Sequence, residues 1–394
     1  MDNNTFLSEK LEKWNSDLAR GLTPNNVILS LYIITGLVGN SIVILVYGFK
    51  MKGNKEERYF IPFLAFADLW ASFVCASFGI ALNMMQAQFN NTDLCKAWWF
   101  FAAFTTFCSI FILTIIAVHR YRKVCKPLGK QMTLKWKRVA MCIALALAFI
   151  LSVPMTHFYG SVSFPNNEEG IVGLRCSRLK TTNKTGSLIF GGVIVITAVT
   201  IIVTLICLYS KIGYTILVHF KYTKKKESSA TEKNSKSKHS QVGVSSSDDP
   251  LSETENRTED TELSGAQSAP TSFTAARITT LTINSAVVRK TNPHKSSAKK
   301  RKEKDNRRVV YKFTLMFMLI TVIFLICYIP KVIIMLLEAR NPKFWEEFSD
   351  SARAGVLFVY RMYIINNITN PFIYAFLDNM FAKEIKNFFK SCRC

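Results

Sequence analysis

Seven long apolar stretches alternate with polar segments along this chain. A helix needs about 20 apolar residues to cross the hydrocarbon core of a bilayer, and a charge buried there is costly. Four of the stretches contain no charged residue, and the other three contain one each, at Asp68, Lys331 and Arg361. The pattern predicts an all-α membrane protein, a bundle of seven transmembrane helices with its termini on opposite faces. The predicted spans are residues 27–49, 59–86, 97–118, 139–156, 187–210, 313–337 and 354–377.

Polar segments flank and separate these spans. Residues 1–26 are polar and mixed in charge, with no apolar run typical of a cleaved signal peptide. Residues 221–308 are rich in Ser, Thr, Lys and Glu and almost lack aromatic residues, which predicts a disordered loop. Spans one to five therefore occupy residues 27–220, and spans six and seven occupy residues 309–377.

Residues 378–394 predict a short amphipathic helix after the seventh span, followed by a tail. Apolar side chains recur there at helical spacing and oppose a basic face, as in helices that lie on a membrane surface. The apolar residues are Phe381, Ile385, Phe388 and Phe389, and the basic residues are Lys383, Lys386 and Lys390. Cys392 and Cys394 follow this helix and are predicted palmitoylation sites.

The distribution of charge predicts the orientation in the membrane. The chain is 49% hydrophobic yet carries a net charge of +23, and its basic residues flank the apolar stretches, which disfavours nucleic-acid binding. Residues 119–138 hold eight Lys and Arg and no acid, whereas residues 87–96 hold one acid and one base. Lys and Arg near span ends are retained in the cytoplasm, so the N-terminus is predicted to be extracellular in a multi-pass plasma-membrane protein.

This orientation predicts sites of modification and of lipid binding. Asn-X-Thr triplets at Asn3, Asn90 and Asn183 fall in segments predicted to lie outside, where they are glycosylation sites. Basic clusters at residues 224–226 and 299–302 border the membrane on the inner side and suit anionic lipid headgroups. The alternative is that these clusters act only as stop-transfer charge.

One carboxylate, Asp68, is predicted in the middle of the second span. An ionised side chain at that depth is expensive, so it should face the bundle interior and have polar partners or an ion. The candidate partners are polar residues that are equally unusual within spans: Asn40, Ser109, Asn366 and Asn370. A purely structural polar network is the alternative.

Three motifs resemble those of the rhodopsin-like G-protein-coupled receptors. They are Gly39 with Asn40, the run 64–68 that ends in Asp68, and the run 370–374, which reads Asn, Pro, Phe, Ile, Tyr. The resemblance covers the chain outside the long loop and the tail. It implies a heterotrimeric G protein as partner, with arrestin and receptor kinases as further candidates.

The resemblance also implies a cation site and a disulfide. In that family the polar cluster holds a sodium ion in the inactive state, which assigns the ion to Asp68, Ser109, Asn366 and Asn370; no other cofactor is expected. Cys95 and Cys176 lie in the predicted extracellular compartment, which is oxidising, and the family pattern pairs them.

The triplet His119, Arg120, Tyr121 ends the third span and is similar to the family's Asp-Arg-Tyr motif. The resemblance implies that Arg120 meets the G protein when the helices open; ordinary positive-inside charge is the alternative. Tyr209 and Tyr374 would receive this arginine in the active state. His119 replaces the acid that restrains the arginine in relatives, and Val310 replaces a second acid. A neutral imidazole cannot restrain Arg120 by charge, so the basal activity stays open.

The sixth span carries a second similar motif, formed by Phe324, Tyr328 and Pro330. A proline removes a backbone hydrogen bond and bends the helix, which gives its cytoplasmic half a lever arm. Tyr328 stands where the family usually has Trp. The alternative is a kink with no switching role.

The outer halves of the helices should frame a ligand cavity. Ala102 lies in a stretch without the acid that amine receptors use, and Ile364 replaces the lysine that binds retinal. The basic residues Lys331 and Arg361 favour a ligand with an anionic group, although Arg361 could instead extend to the lipid headgroups. The predicted pocket comprises Gln86, Ala102, His157, Tyr159, Lys331, Tyr360 and Arg361.

These features predict a neuropeptide receptor, distantly similar to the cholecystokinin and orexin groups. A strand-like run at residues 161–164, before Cys176, predicts a hairpin over the pocket. A receptor for a lipid or small organic acid is one alternative. A transporter or channel is another, although neither internal repeats nor interrupted helices are evident. An enzyme is disfavoured, because the sequence has no metal-ligand spacing and no nucleophile paired with a base.

Overall fold

Long apolar helices dominate the described part of the chain. The computed structural model describes residues 3–51, 55–166, 169–179, 184–239, 293–341, 344–345 and 347–391. Contacts divide the chain into one unit of Met1–His219 with Lys304–Cys394, and another of Phe220–Glu303. Within the described residues, six helices are long and apolar enough to cross a membrane.

The helices follow the order of the predicted spans. The bounds are α1 (Asn3–Arg20), α2 (Thr23–Leu45), α3 (Lys55–Arg58), α4 (Ile61–Met84), α5 (Thr92–Cys125), α6 (Leu134–Ser152), α7 (Met155–Phe158), α8 (Lys184–His239), α9 (Pro293–Arg340), α10 (Asp350–Arg361), α11 (Tyr363–Leu377) and α12 (Asn379–Ser391). The first six predicted spans correspond to α2, α4, α5, α6, α8 and α9, and the seventh corresponds to α10 with α11. A π-helical turn, Val46–Lys50, continues α2.

Helix ends carry the residues that satisfy free backbone groups. Asn91 precedes α5, and its side-chain oxygen accepts a hydrogen bond from the backbone N–H of Leu94 at 2.9 Å. Ser349 caps α10 in the same way through Ala352 N–H at 3.4 Å. Helices α2 and α4 begin with a proline in the first turn, where its missing N–H costs nothing.

The outside of the bundle is apolar and its inside contains the polar residues. Exposed side chains recur along α2 at Val27, Leu31, Ile34 and Val38, which places them on one face of the helix. Helix α8 presents a similar face, whereas Asn40, Asp68 and Ser109 are fully buried. This inverted distribution is the one that a lipid environment favours.

The second outer connection forms the predicted hairpin. Strand β1 (Tyr159–Asn166) pairs antiparallel with β2 (Ile171–Arg178), and Gly170 adopts a positive φ of 65° at the turn. A disulfide joins Cys95 of α5 to Cys176 of β2, with their Cα atoms 5.6 Å apart. The predicted pairing is therefore confirmed, and it fixes the hairpin to the outer end of α5.

The structure differs from the sequence prediction in three places. The N-terminal segment forms α1, whose Trp14 packs against Phe164 with ring centroids 4.9 Å apart, because its sparse apolar residues share one face. The seventh span is divided at Met362 into two helices. Helices α8 and α9 continue into the predicted loop, to His239 and from Pro293, since their Lys and Glu residues favour helix. The loop residues 240–292 lie outside the described residues.

Candidate functional site

Asp68 on α4 is the centre of a buried polar cluster. It is 0% exposed, and its two carboxylate oxygens accept hydrogen bonds from Ser109 Oγ and Asn370 Nδ2, both at 2.6 Å. The three residues lie on α4, α5 and α11, so the cluster ties these helices together. Two of the predicted partners of Asp68 are thus brought to it directly.

The other two predicted partners belong to an adjoining amide network. Asn40 Nδ2 donates to the backbone oxygens of Gly36 and Asn367, at 3.1 and 2.9 Å. Asn366 Nδ2 donates to Asn367 Oδ1 at 3.4 Å. The side-chain oxygens of Asn40, Asn366 and Asn370 are buried and accept no hydrogen bond from any described residue. These three oxygens leave acceptor capacity that a cation could use.

Next to this cluster, aromatic side chains surround the part of the sixth span that contains Pro330. The rings of Phe324 and Tyr328 are 4.4 Å apart, and Tyr328 lies 5.7 Å from Tyr363 of α11. Pro330 lies inside α9, two residues after Tyr328. Pro371 lies inside α11 and packs close to Gly39 of α2, where a side chain at position 39 would collide with it.

At the inner end, Arg120 is completely enclosed. Only 1% of it is exposed, and its guanidinium forms an ion pair with Glu57 of α3. A second guanidinium nitrogen donates to the backbone oxygen of Glu57 at 2.5 Å. Lys123, one turn further along α5, forms an ion pair with the same carboxylate.

The charge of Glu57 is stabilised by these two cations. Burial acts to raise the pKa of this carboxyl, but Arg120 and Lys123 outweigh burial and hold the pKa below its ordinary value of 4.5. Glu57 is therefore ionised at neutral pH. His119, beside Arg120, is buried, and neither of its ring nitrogens forms a hydrogen bond within the described part of the chain.

The neighbour of Glu57 makes a second buried ion pair. Arg58 lies 3.4 Å from Asp378, the residue between α11 and α12, and Tyr47 donates to the same carboxylate at 2.9 Å. Asp378 also accepts the backbone N–H of Met380 at the start of α12. The short helix α3 thus holds α5 through one residue and the α11–α12 junction through the next.

Two tyrosines lie within electrostatic range of Arg120. They are Tyr209 of α8 and Tyr374 of α11, and both are buried. The hydroxyl of Tyr374 has no hydrogen-bond partner among the described residues. Tyr121, the third residue of the triplet, is half-buried on the other side of α5, with Lys126 above its ring at 6.0 Å.

At the outer end, Lys331 rests on aromatic rings. Its Nζ lies 3.3 Å from the ring centroid of Tyr363 and 5.7 Å from that of Tyr360. Within the described ranges, no ion pair joins this lysine to a carboxylate. A cation in this position is stabilised by the ring faces and retains its capacity for an anion.

Tyr159 connects the hairpin to this region. Its ring packs 4.2 Å from that of Trp99, and its hydroxyl lies within electrostatic range of Glu338 at the outer end of α9. Burial, with a smaller contribution from Glu338, raises the pKa of Tyr159 to about 12. The hydroxyl is therefore a neutral hydrogen-bond donor. Glu338 also lies in range of Tyr360, so three elements meet there.

The remaining predicted pocket residues are more dispersed. Arg361 is buried against Gly79 of α4 and donates to Asn83 Oδ1 at 2.9 Å, so it does not extend to the headgroups. Gln86 donates to the backbone oxygen of Leu82 at 2.5 Å, and Ala102 is buried on α5. His157 is exposed near the end of α7, the short helix that precedes the hairpin.

The predicted modification sites are only partly described. Asn90 is exposed near the end of the loop before α5, which makes it accessible. The side chain of Asn3 and the residues Asn183, Cys392 and Cys394 lie outside the described residues.

Three site residues were not predicted from the sequence. Glu57 carries a visible signal, because it belongs to an acidic pair in an otherwise basic segment that is predicted to be cytoplasmic. Tyr363 follows Tyr360 at a spacing that places both on one helical face. Glu338 offers no such signal, since an acid just beyond a span is an ordinary solvated residue.

Comparison with known proteins gives relatives over part or most of the chain. Galanin receptor 2b from Danio rerio is 26% identical over 49% of this chain and 53% of its own length. A cholecystokinin receptor from Xenopus laevis is 22% identical over 93% of this chain and 76% of its own length. A substance-P receptor from Canis lupus familiaris is 28% identical over 34% of this chain. The chain spans about half the length of the first relative and a third of the last.

The fold and the family are each supported by a match that covers most of the chain. A crystal structure of squid rhodopsin matches with a TM-score of 0.62 and 15% identity, over 96% of this chain and 87% of that chain, which shows a similar fold. The family described as 7 transmembrane receptor (rhodopsin family) matches residues 39–374, from the glycine before Asn40 to Tyr374. Because this match includes the buried cluster, Arg120 and both helix-breaking prolines, the chain belongs to the rhodopsin family of seven-transmembrane receptors.

Proposed function

We propose that this chain is a plasma-membrane receptor, with its N-terminus outside, that binds an extracellular peptide and activates heterotrimeric G proteins. The observation that carries the proposal is a continuous polar and aromatic pathway through an apolar bundle. From outside inward, Lys331 contacts Tyr363, and Tyr363 packs near Tyr328. Tyr328 lies in electrostatic range of Asp68.

The pathway continues to the inner face. Asp68 lies in electrostatic range of Tyr374, and Tyr374 lies in range of Arg120. Ser109 and Arg120 are eleven residues apart on α5, which is about three helical turns, so they share one face of that helix. A ligand that moves Tyr363 or Tyr328 would thereby change the surroundings of Arg120.

Arg120 is suited to engage the G protein once it is released. A guanidinium is permanently charged and can exchange one set of oxygen acceptors for another. Tyr209 and Tyr374 are near enough to receive it, and Pro330 gives α9 a bend about which its inner half can swing. Outward movement of that half would open a cavity for the G protein.

The peptide character of the ligand is supported by the relatives. Three of them are named as receptors for galanin, cholecystokinin and substance P, all of which are peptides. The hairpin over the outer end, held by the Cys95–Cys176 disulfide, gives a wide surface for an extended ligand. A bilayer lipid entering sideways would not require such a surface.

Lys331 is the residue we assign to an anionic group of the ligand. Its charge has no carboxylate partner in the described structure, and Tyr360 and Tyr363 keep it away from the headgroups. An acidic side chain or a terminal carboxylate would form a charge-assisted hydrogen bond with it. Arg361 contributes less, because Asn83 already accepts from it.

The buried cluster fits a sodium ion. Asp68 supplies a carboxylate with no cationic partner in the described residues, and Asn366 and Asn370 supply amide oxygens that accept no hydrogen bond there. Oxygen donors of this kind suit a hard cation. When bound, the ion would stabilise the inactive packing of α4, α5 and α11 around Asp68.

Other partners follow from the family. Receptor kinases and arrestin are expected at the inner face, and anionic lipids at the basic ends of the long loop. The predicted glycans at Asn3, Asn90 and Asn183 and the predicted palmitoyl groups at Cys392 and Cys394 would accompany an extracellular N-terminus and an inner tail.

The proposal is tested in cells that carry a promiscuous G-protein α subunit and a calcium reporter. Fractionated peptides should evoke calcium release through the wild type, and Lys331→Gln should shift the dose–response curve by about tenfold or more for an acidic peptide. Lys312→Gln, an exposed lysine at the inner end of the same helix, is the matched control and should leave the curve unchanged.

Two results would contradict the proposal. A response to a lipid or small organic acid, with none to any peptide fraction, would overturn the peptide assignment. A ligand-evoked current in cells without G proteins would favour a channel instead.

A further inference from the structure

The ionic restraint of Arg120 is missing from the positions where the family pattern places it. Position 119 carries histidine and position 310 carries valine, so neither supplies a carboxylate. Yet Arg120 is buried together with its charge, and a buried, unpaired guanidinium would be strongly destabilising. Some other residue must therefore satisfy it while the inner face is closed.

The residue that pairs with Arg120 is Glu57, which lies on α3, whereas Arg120 lies on α5. One guanidinium nitrogen pairs with the Glu57 carboxylate, and another donates to the Glu57 backbone oxygen at 2.5 Å. Contact through both side chain and backbone fixes the guanidinium in one orientation. Lys123 pairs with the same carboxylate and keeps Glu57 directed toward α5.

Glu57 is itself held in place by the residue that follows it. Arg58 pairs with Asp378 at 3.4 Å, and Tyr47 donates to Asp378 at 2.9 Å. Because Glu57 and Arg58 are consecutive in α3, the short helix is fixed on one side to α5 and on the other to the α11–α12 junction. The carboxylate is thus presented by a constrained segment rather than by a free loop.

Arg58 and Arg120 both contact α9, the helix whose inner half would move outward when the inner face opens. Phe313 of α9 lies under the Arg58 guanidinium at 5.3 Å and under the Arg120 guanidinium at 5.7 Å, and Phe317 lies 4.8 Å from Arg120. The ring of Phe313 therefore contacts both cations. Outward movement of the inner half of α9 would remove Phe313 and Phe317 from them.

We propose that Glu57, in the connection between the first and second spans, is the acid that restrains Arg120 and keeps this receptor inactive in the absence of ligand. The restraint acts between α3 and α5 rather than within the arginine triplet, and the contacts of Phe313 couple it to α9. Loss of the Glu57 charge releases Arg120 toward Tyr209 and Tyr374 and favours the open inner face. The inference rests on the proposed G-protein coupling only for its signalling consequence.

The first test measures ligand-independent signalling at matched surface expression. Glu57→Gln, which keeps the size of the side chain and removes its charge, should raise basal signalling on the order of tenfold. Glu384→Gln removes a carboxylate on the inner helix α12 for which no ion pair is found in the described residues, and it should leave basal signalling unchanged. Basal signalling of Glu57→Gln equal to the wild type would overturn the proposal.

A second variant covers the case in which Glu57→Gln does not reach the surface. Glu57→Asp keeps the charge but shortens the side chain by one methylene, so the carboxylate can no longer reach Arg120 as closely. A smaller rise in basal signalling is expected, and no rise at normal surface expression would contradict the restraint.

The second test is a distance measurement that does not depend on any G protein. Spin labels at Lys126→Cys, after α5, and Lys312→Cys, on α9, report the opening of the inner face in the purified full-length receptor. The exposed residues Cys142 and Cys207, the partly exposed Cys125 and the tail residues Cys392 and Cys394 are replaced by serine in this background. Glu57→Gln should populate a longer distance than the otherwise wild-type protein.

The two measurements separate the failure of this inference from the failure of the proposed function. A longer distance in Glu57→Gln, with no signalling from any variant on any G protein, would support the restraint and contradict the coupling. An unchanged distance distribution in Glu57→Gln would overturn the restraint itself.

Discussion

At the scale of single residues, the receptor places each buried charge beside a partner that suits its role. Asp68 accepts two short hydrogen bonds from neutral donors, Arg120 meets a carboxylate, and Lys331 lies on tyrosine rings. The arginine pair is fully charged on both sides, which makes it strong while closed and costly when only one partner remains. The lysine, by contrast, forms no ion pair among the described residues, which is why we propose it as the contact for an anionic group of the ligand.

The Glu57 contact predicts a specific pH dependence of stability. Its pKa is below the ordinary value of 4.5 in the folded protein, so its stabilisation is present above that value and is lost as pH falls through the lower, folded pKa. Arg120 and Lys123 face it, and His119 lies in range. Thermal midpoints of the wild type and Glu57→Gln should differ at neutral pH and converge below pH 4.5. A constant difference down to the lowest pH would contradict this.

Asp68 predicts a dependence of stability on sodium. Asp68→Asn removes the carboxylate that a bound cation requires but retains the size of the side chain. The wild type should unfold at a higher temperature in sodium chloride than in choline chloride, measured by a thiol-reactive dye on the purified receptor, and Asp68→Asn should show no such difference. An equal sodium effect in both proteins would place the ion elsewhere.

The sequence predicted the residues around Asp68 better than those around Arg120. A lone carboxylate in a span demands partners, and Ser109 and Asn370 stand out because few polar residues occur in spans. Glu57 lies in a short polar connection, where the acidic pair is visible in the sequence, but only the fold brings Glu57 to Arg120. The sequence therefore shows that position 119 has no acid, but it does not show that Glu57 pairs with Arg120 instead.

At the scale of helices, close packing of α2 against α4 depends on glycine. A side chain at Gly36 would lie 2.1 Å from Ser72 Oγ and 2.5 Å from Ser72 Cβ, too close for rotation of the hydroxyl alone to relieve. The two helix backbones approach there because no side chain separates them. The apolar pattern predicts both helices, but it does not predict the distance between their axes.

Gly36→Ala should therefore destabilise the receptor by about 1–3 kcal/mol, because the added methyl group must displace α4. Gly192→Ala on α8 is the control, since a methyl group there meets no atom within 4 Å and should leave the thermal midpoint unchanged or slightly higher. The comparison is made on purified protein in one detergent. Equal midpoints for the two variants would show that α2 and α4 are not closely packed.

The hairpin is the outer element that can be tested most simply. Cys95→Ser removes the bond that fixes β2 to α5, and loss of a native disulfide typically costs about 2–5 kcal/mol. Surface expression, measured with an N-terminal epitope tag, should fall markedly. Cys142→Ser, at an exposed position on α6, should leave it unchanged. Normal expression of Cys95→Ser would mean that the hairpin does not require the bond.

The end of a helix could be predicted only where it coincides with the end of an apolar run that crosses the bilayer. Apolar length predicts the spans, but it does not predict the break at Met362 or the continuation of α8 to His239. The first depends on packing around Arg361 and Tyr363, and the second on intrinsic helix propensity outside the apolar core. Helix α1 was missed because its few apolar residues have no partner nearby in the sequence, and the helix packs on the hairpin and on α4 only in the folded protein.

At the scale of the whole molecule, the fold provides an apolar shell around a polar interior. The seven-span architecture follows from hydropathy and charge alone, because the bilayer imposes both. The connection between the outer lysine and the inner arginine does not follow from them, since it depends on Tyr328 meeting Tyr363 across α9 and α11 and on Asp68 lying between Tyr328 and Tyr374. This interior pathway is the feature on which the proposed signalling function depends.

The most direct test of the account is guanine-nucleotide exchange on purified heterotrimeric G proteins, catalysed by the full-length receptor in nanodiscs. The single variant Glu57→Gln, in which Arg120 is released, should accelerate nucleotide exchange on at least one class of heterotrimer. The double variant, Glu57→Gln with Arg120→Ala, should return the exchange rate to that measured without receptor. Equal exchange by the single and double variants would contradict the role of Arg120 on which the proposed function depends.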